Sequence, residues 1–411
     1  MAEAPPLLFN PLDPAFRVDP YSFYARLRAE APVYQTPVGS WVLSRYADCS
    51  AALRDHARWS SDLRNNAAYQ RALAEGRVDP SQEALGKTPP FLILDPPDHT
   101  RLRGLVSKAF TPKVVEGLRP HVQQVVDELL DAVIEKGSLE LIEDLAYPLP
   151  ITVICELLGV PTEDRFTFQQ WSRQLSRGLD PEEVLPPDAI EQRRLAGNAF
   201  ADYFRALIAG RRKHPRDDLL SALIAAGEAS DKLTEDELVS TCIFLLAAGH
   251  ETTVNLIGNG TLALLRHPDQ LELLRSDPSL ARGAVEEILR YDPPVQYASR
   301  IAMEDVELDG VTIEKGRQAV ILIGSANRDP AAFADPDRFD TTRGDSRHLA
   351  FGLGIHFCLG APLARVEGEI AFATLVRRLG GLHLQTDTPE YKEHIVNRGL
   401  RSLPVGFSTV A

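Results

Sequence analysis

Apolar residues recur at helical spacing through most of this chain, and proline and glycine mark where the recurrence stops. Tyr21 to Glu30 reads as a short amphipathic helix, and the alternating segments around Val33 to Leu43 as a hairpin. From Ser61 to Ile93 the periodicity is lost at Asn65, Asn66, Gly76, Gly86, Pro89 and Pro90, which predicts a long loop. A loop of that length inside a compact domain is usually functional or mobile. Asp95-Pro96-Pro97-Asp98-His99 then opens a helix, with prolines and an acid in the first turn. Residues 114 to 160 and 163 to 230 form successive amphipathic helices broken at Gly137, at Gly159-Val160-Pro161 and at Pro186-Pro187.

The longest periodic stretch runs from Leu233 to about Arg266. Thr234 and Glu237 stand at capping-box spacing, so a helix starts there and, at about 1.5 Å per residue, extends roughly 48 Å. A second helix carries Glu287-Ile288-Leu289-Arg290 and ends at Asp292-Pro293-Pro294. Val295 to Ile301 reads as a strand, and Val306 to Ile323 as hairpin strands interrupted at Asp309-Gly310 and Lys315-Gly316.

Several residues stand out chemically, each with a bland reading beside it. Gly249, within Ala247-Ala248-Gly249-His250-Glu251-Thr252-Thr253, costs its helix about 1 kcal/mol relative to alanine. That glycine is either a packing notch or a clearing for something small. His99 and Arg103 share a helical face, as do Glu287 and Arg290, and such pairs are commonly solvated surface groups.

Phe351 to Gly360, Phe-Gly-Leu-Gly-Ile-His-Phe-Cys-Leu-Gly, narrows the choice. It places Cys358 among glycines at 352, 354 and 360, directly before a helix-periodic segment, Leu363 to Leu379. Glycines let the backbone fold tightly under a flat object, and the helix N-terminus aims amide donors at the sulfur, favouring thiolate over thiol. A buried free cysteine at a turn is the bland alternative.

This stretch fits Phe-x-x-Gly-x-x-x-Cys-x-Gly in full and resembles the cysteine-ligand loop of the bacterial soluble (class I) cytochrome P-450 haem-thiolate monooxygenases. The resemblance covers essentially the whole chain and implies a mainly α, single-domain fold over residues 1–411, a large helical lobe with a smaller β-rich lobe. It implies haem b, with Cys358 as the iron ligand and Phe351 and Gly360 in the cofactor loop. His99, Arg103, Arg300 and His356 would meet the haem propionates, since arginine can bond a carboxylate twice. Ala248 and Gly249 would clear room for dioxygen, Thr252 would supply a hydroxyl bonded back to the carbonyl one turn earlier, and Glu251 would feed protons. Glu287, Arg290 and Arg338 would form a buried network bracing the haem loop.

The resemblance also points to substrate walls at Phe91, Leu92, Ile93, Phe244, Ala247, Gln296, Tyr297, Ile395 and Val396. Arg165 to Arg194 resembles the family's mobile lid, with Leu175, Leu179 and Leu185 near substrate, although ordinary helix packing reads equally well.

Composition removes other classes. With 44 basic and 58 acidic residues the net charge is −14, which argues against nucleic acid. The four cysteines, at 49, 155, 242 and 358, show no metal or CxxC spacing, and Cys155 and Cys242 read as core. The N-terminus lacks a signal pattern and no apolar run is long enough for a bilayer, so a soluble, cytoplasmic protein is expected. No nicotinamide or flavin fingerprint is present, so electrons would come from a separate ferredoxin or flavodoxin and its reductase. Lys108, Lys113, Arg347 and Arg365 would offer a local basic docking patch.

The reading is thus a monooxygenase that inserts one atom of O2 into a small or medium lipophilic substrate by hydroxylation or epoxidation. A peroxide-driven peroxygenase and a non-catalytic haem-binding protein are the alternatives on the same fold. A hydrolase using Cys358 as nucleophile lacks a convincing base partner.

Overall fold

A computed structural model describes residues 7–77, 88–108, 110–175, 180, 185–230, 233–345 and 347–409. Its axis is one helix, Glu235–Arg266, capped as the sequence requires: Thr234 accepts from the Glu237 backbone while the Glu237 side chain accepts from the Thr234 backbone. Most of this central helix is buried, and it packs against Pro148–Leu157, Pro187–Lys213, Ala281–Tyr291 and Ala361–Arg378. Its second half reaches those neighbours through glycines. A Cβ on Gly260 would sit 2.8 Å from Ile288 and collide with the Phe372 ring, and one on Gly258 would lie 2.9 Å from Ile142.

The main apolar core gathers around the first half of the central helix, with Phe168 edge to face against both Phe200 and Phe204. A second core lies under a five-stranded sheet ordered Val33–Gln35, Trp41–Leu43, Gln318–Leu322, Tyr297–Ala302, Trp59–Ser60. Trp41–Leu43 runs parallel to Gln318–Leu322, and the other pairings are antiparallel. Pro404–Thr409 pairs between Ser138–Glu140 and Leu379–Leu384 in a smaller sheet. Between Val306–Leu308 and Val311–Ile313 the turn has Asp309 at φ 50° and Gly310 at φ 78°, the left-handed pair that a two-residue hairpin demands.

The Tyr21–Glu30 helix and the hairpin of residues 33–43 lie where the pattern put them. The stretch from Ser61 to Ile93 does not stay a loop, because a helix forms over Ala67–Ala74. Asn66, expected to break structure, is that helix's N-cap and accepts from Ala68 N at 2.7 Å. Gln318–Leu322 joins the five-stranded sheet instead of closing a local hairpin. Among the described residues no helix is long and apolar enough to cross a membrane.

Because Gly260 lets three helices meet, Gly260→Ala lowers unfolding free energy by about 1–3 kcal/mol through overpacking. Gly210→Ala, in a helix where a Cβ meets nothing within 4 Å, raises it by about 0.5–1 kcal/mol. Denaturant melts of the two variants against the parent measure both signs.

Candidate active site

The cysteine loop is shaped by two left-handed glycines, Gly352 (φ 66°) and Gly354 (φ 68°). A Cβ on Gly354 would also come within 2.8 Å of the Leu53 carbonyl, so backbone fit and conformation both select glycine there. Cys358 N donates to Phe351 O at 2.8 Å, closing the loop just before the helix Ala361–Arg378. The half-buried Cys358 sulfur accepts from the backbone N–H groups of Gly360 and Ala361. Desolvation nevertheless outweighs these donors and the charges of Arg103 and Arg365, and pushes the thiol above its ordinary range. The loop alone therefore does not favour the thiolate, contrary to expectation; a coordinated metal ion deprotonates such a thiol outright.

Beside the loop four basic side chains converge from three elements. His99 and Arg103 come from the helix Asp98–Val106, Arg300 from the strand Tyr297–Ala302, and His356 from the loop itself. The His99 and His356 rings lie 4.3 Å apart, and neither ring nitrogen of either histidine has a hydrogen-bond partner. Arg300 is buried and bonds its neighbour's carbonyl, Ser299 O, at 2.8 Å, while Arg103 donates to Phe357 O. Burial first, then Arg103, pushes His99 down to about 4, and burial first, then Arg300, pushes His356 down to about 3. Asp95, the acid acting on His99 and Arg300, is engaged by Ser60 and by Ser61 N. Two guanidiniums beside two imidazoles whose ring nitrogens are unsatisfied suit a ligand carrying more than one carboxylate, as a haem does.

In its middle, the central helix breaks its own burial pattern. Ala248 is exposed and Phe244 and Thr252, one turn either side, are half-buried, so positions i, i+4 and i+8 line an opening. Thr252 Oγ1 donates to Ala248 O at 2.7 Å, the back-bond expected of it. A Cβ on Gly249 would meet Ile154 at 3.6 Å, an ordinary contact, so packing does not require that glycine. Ala247 is half-buried beside it. Phe91 packs edge-on to Phe244 with centroids 5.1 Å apart, and Leu92 is half-buried next to it.

Glu251 is buried and ion-paired with Lys392 at 2.7 Å. Lys392 also bonds Asn255 Oδ1 at 3.1 Å. Desolvation would raise this carboxyl, but Lys392, His394 and His250 together hold it below its ordinary range. Lys392 gave no signal in the sequence, since a lone lysine far along the chain matches no motif. Asp180 was missed for the same reason: its Oδ1 accepts from Ile395 N and Val396 N, both at 2.9 Å, and shapes the turn that carries those two half-buried side chains.

Three expectations are overturned. Arg338 does not join Glu287 and Arg290; its side chain is 66% exposed and reaches only Asp340 at 3.7 Å. Arg343 takes the place, 3.2 Å from Glu287, because Arg290 binds the backbone carbonyls of Pro336 and Arg338 and so turns the Arg338 side chain outward. Gln296 and Tyr297 are engaged by the Tyr21–Glu30 helix, in a cluster against which Ile395 and Val396 also pack. Gln296 bonds Pro293 O at 2.9 Å and Tyr24 Oη at 3.2 Å, and Tyr297 meets Tyr24 Oη at 3.2 Å. Strand alternation puts Ala298 with Arg300 on the other face. Of the two readings left open for the segment from Arg165 to Arg194, ordinary packing fits Leu175, part of the main core, and Leu185, which is buried, while Leu179 lies outside the described residues. The basic patch is also thinner than expected, because Arg347 pairs with Asp345 at 2.6 Å and Arg365 with Glu286 at 2.5 Å.

Residues 71–398 match the family model described as Cytochrome P450. Cytochrome P450 107B1 of Saccharopolyspora erythraea is 44% identical over 412 residues, covering 98% of each chain. The same organism's 6-deoxyerythronolide B hydroxylase is 43% identical over 95% of this chain and 96% of its own. The ligand-free crystal structure of Mycobacterium smegmatis CYP164A2 superimposes with a TM-score of 0.88 at 46% identity, covering 96% of this chain and 98% of that one. The chain therefore belongs to the cytochrome P450 family. It is an oxidoreductase of the haem-thiolate monooxygenase class, with haem b as cofactor.

Glu287 and Arg290 are each buried, so Glu287→Ala or Arg290→Ala costs about 3–5 kcal/mol by stranding charge. Arg338→Ala stays within about 0.5 kcal/mol; urea unfolding with haem retention separates them. The depressed His99 gives a pH signature. Its folded pKa lies below the ordinary value, so the unfolded chain binds the proton first and haem-free protein loses stability as pH falls from 6.5 towards about 4. In urea titrations across that window, His99→Gln flattens the slope, and so does loading haem.

Proposed function

We propose that Cys358 ligates the haem iron and that His99, Arg103, Arg300 and His356 hold the propionates. The lipophilic substrate lies against Phe244, Ala248 and Thr252, with Phe91, Leu92, Ile395 and Val396 around it. The observation that carries this reading is the group of four basic side chains beside a half-buried cysteine at a helix N-terminus, together with the unburied positions Phe244, Ala248 and Thr252 in the middle of the central helix. Bound haem with a cysteine ligand supplies the electron push that favours O–O cleavage.

The chain's own contribution is placement and protons. Thr252 commits its hydroxyl hydrogen to Ala248 O, leaving its lone pairs towards the opening as acceptors for an ordered water or a protonated oxygen. Glu251 is anionic while Lys392 holds it, so it accepts a proton from solvent and passes it inward only when that ion pair parts. The apolar walls fit a lipophile, and the related 6-deoxyerythronolide B hydroxylase supports a substrate of comparable character, oxidised by hydroxylation. Electrons arrive from a ferredoxin or flavodoxin, for which Lys108 and the exposed Lys113 are the remaining candidates of the basic patch.

Reduction under carbon monoxide tests the ligation: the parent shows the thiolate-type red-shifted Soret band, and Cys358→His loses it. A parent without that band, or colourless under haem-replete expression, overturns the reading. Thr252→Ala keeps the band but lowers product formed per electron supplied, by about tenfold or more.

A further inference from the structure

A charged group behind the cysteine loop has no part in the reading above. Glu286, beside Glu287 on the helix Ala281–Tyr291, accepts from Arg365 Nε at 2.5 Å and Nη2 at 3.1 Å. His348 Nε2 lies 3.1 Å from the same carboxylate. Because His348 Nδ1 accepts from Ala350 N at 3.2 Å, its proton sits on Nε2, which donates to Glu286. The three side chains are at most one-third exposed, with His348 at 2%. The Arg365 guanidinium lies 4.6 Å above the Phe351 ring, and Phe351 O is the acceptor for Cys358 N. Arg365 is also one of the charges that act on the Cys358 sulfur.

Reduction adds an electron to the iron and its sulfur ligand, so a nearby positive charge favours the reduced state and a paired one does so less. We propose that Glu286 is a positioning residue that masks Arg365, and so sets the reduction potential of the Cys358-ligated haem below the value an unpaired Arg365 would impose. The inference rests on Cys358 as ligand. A structural brace alone would produce no signed response, because loosening the loop moves the potential the same way whichever partner is removed.

The test uses haem-loaded Glu286→Gln, Arg365→Gln and the double variant, titrated spectroelectrochemically without any redox partner. Glu286→Gln shifts the reduction equilibrium about tenfold towards the reduced form, about 59 mV for one electron. Arg365→Gln shifts it in the opposite direction, and the double variant returns to within about twofold of the parent. Shifts of one sign in both single variants, or none beyond about twofold, overturn the proposal. If Glu286→Gln does not hold haem, Arg365→Lys, which keeps the charge, stays within about twofold of the parent while Arg365→Gln shifts about tenfold towards the oxidised form, and equal shifts in the two overturn the proposal. The carbon monoxide band is recorded in each: its absence from the parent refutes Cys358 ligation, whereas an intact band with unmoved potentials refutes only the mask.

Discussion

The buried ion pair of Glu287 and Arg290 is the contact on which the site depends. Between the short helix Ile323–Ala326 and the cysteine loop the chain forms no strand or helix in its described residues, so its backbone carbonyls need partners from elsewhere. Arg290 supplies them for Asn327, Pro336 and Arg338, Glu287 accepts from Asp340 N, and Arg343 closes the set. Asn327 adds to the brace by accepting from Leu349 N at 2.7 Å, two residues before Phe351. A buried ion pair is a poor source of stability in itself, and here its worth lies in fixing a long irregular segment in one conformation.

That rigidity carries a cost at the site. Four basic groups are gathered with two imidazoles left without partners, an arrangement that a chain optimised for its own stability would avoid. The histidines answer by giving up protons more readily, while the arginines cannot. A bound dianion relieves both burdens, so cofactor binding and folding draw on the same free energy.

The central helix plays the opposite part. It is held on nearly all sides, and its few unburied positions stand out because the rest is packed so closely. An opening at Ala248 with a hydroxyl at Thr252 can be placed reproducibly only on an element that does not shift, and the close approach at Gly260 is one reason it does not.

What the sequence determined by itself were features written within a few residues of one another. The Thr234 cap with its long helix, the glycine-framed Cys358 loop, the His99 and Arg103 face and the Thr252 back-bond are all of this kind, and local geometry realises each as expected. Only the tertiary structure could decide contacts whose partners lie far apart along the chain: Glu251 with Lys392, Asp180 with the amides of Ile395 and Val396, and Arg343 in place of Arg338. It also set the phase of the strand bearing Arg300, where a side-chain period of two turns Tyr297 and Arg300 to opposite faces. Spacing within a segment fixes which residues share a face, but which way that face points depends on what packs against it.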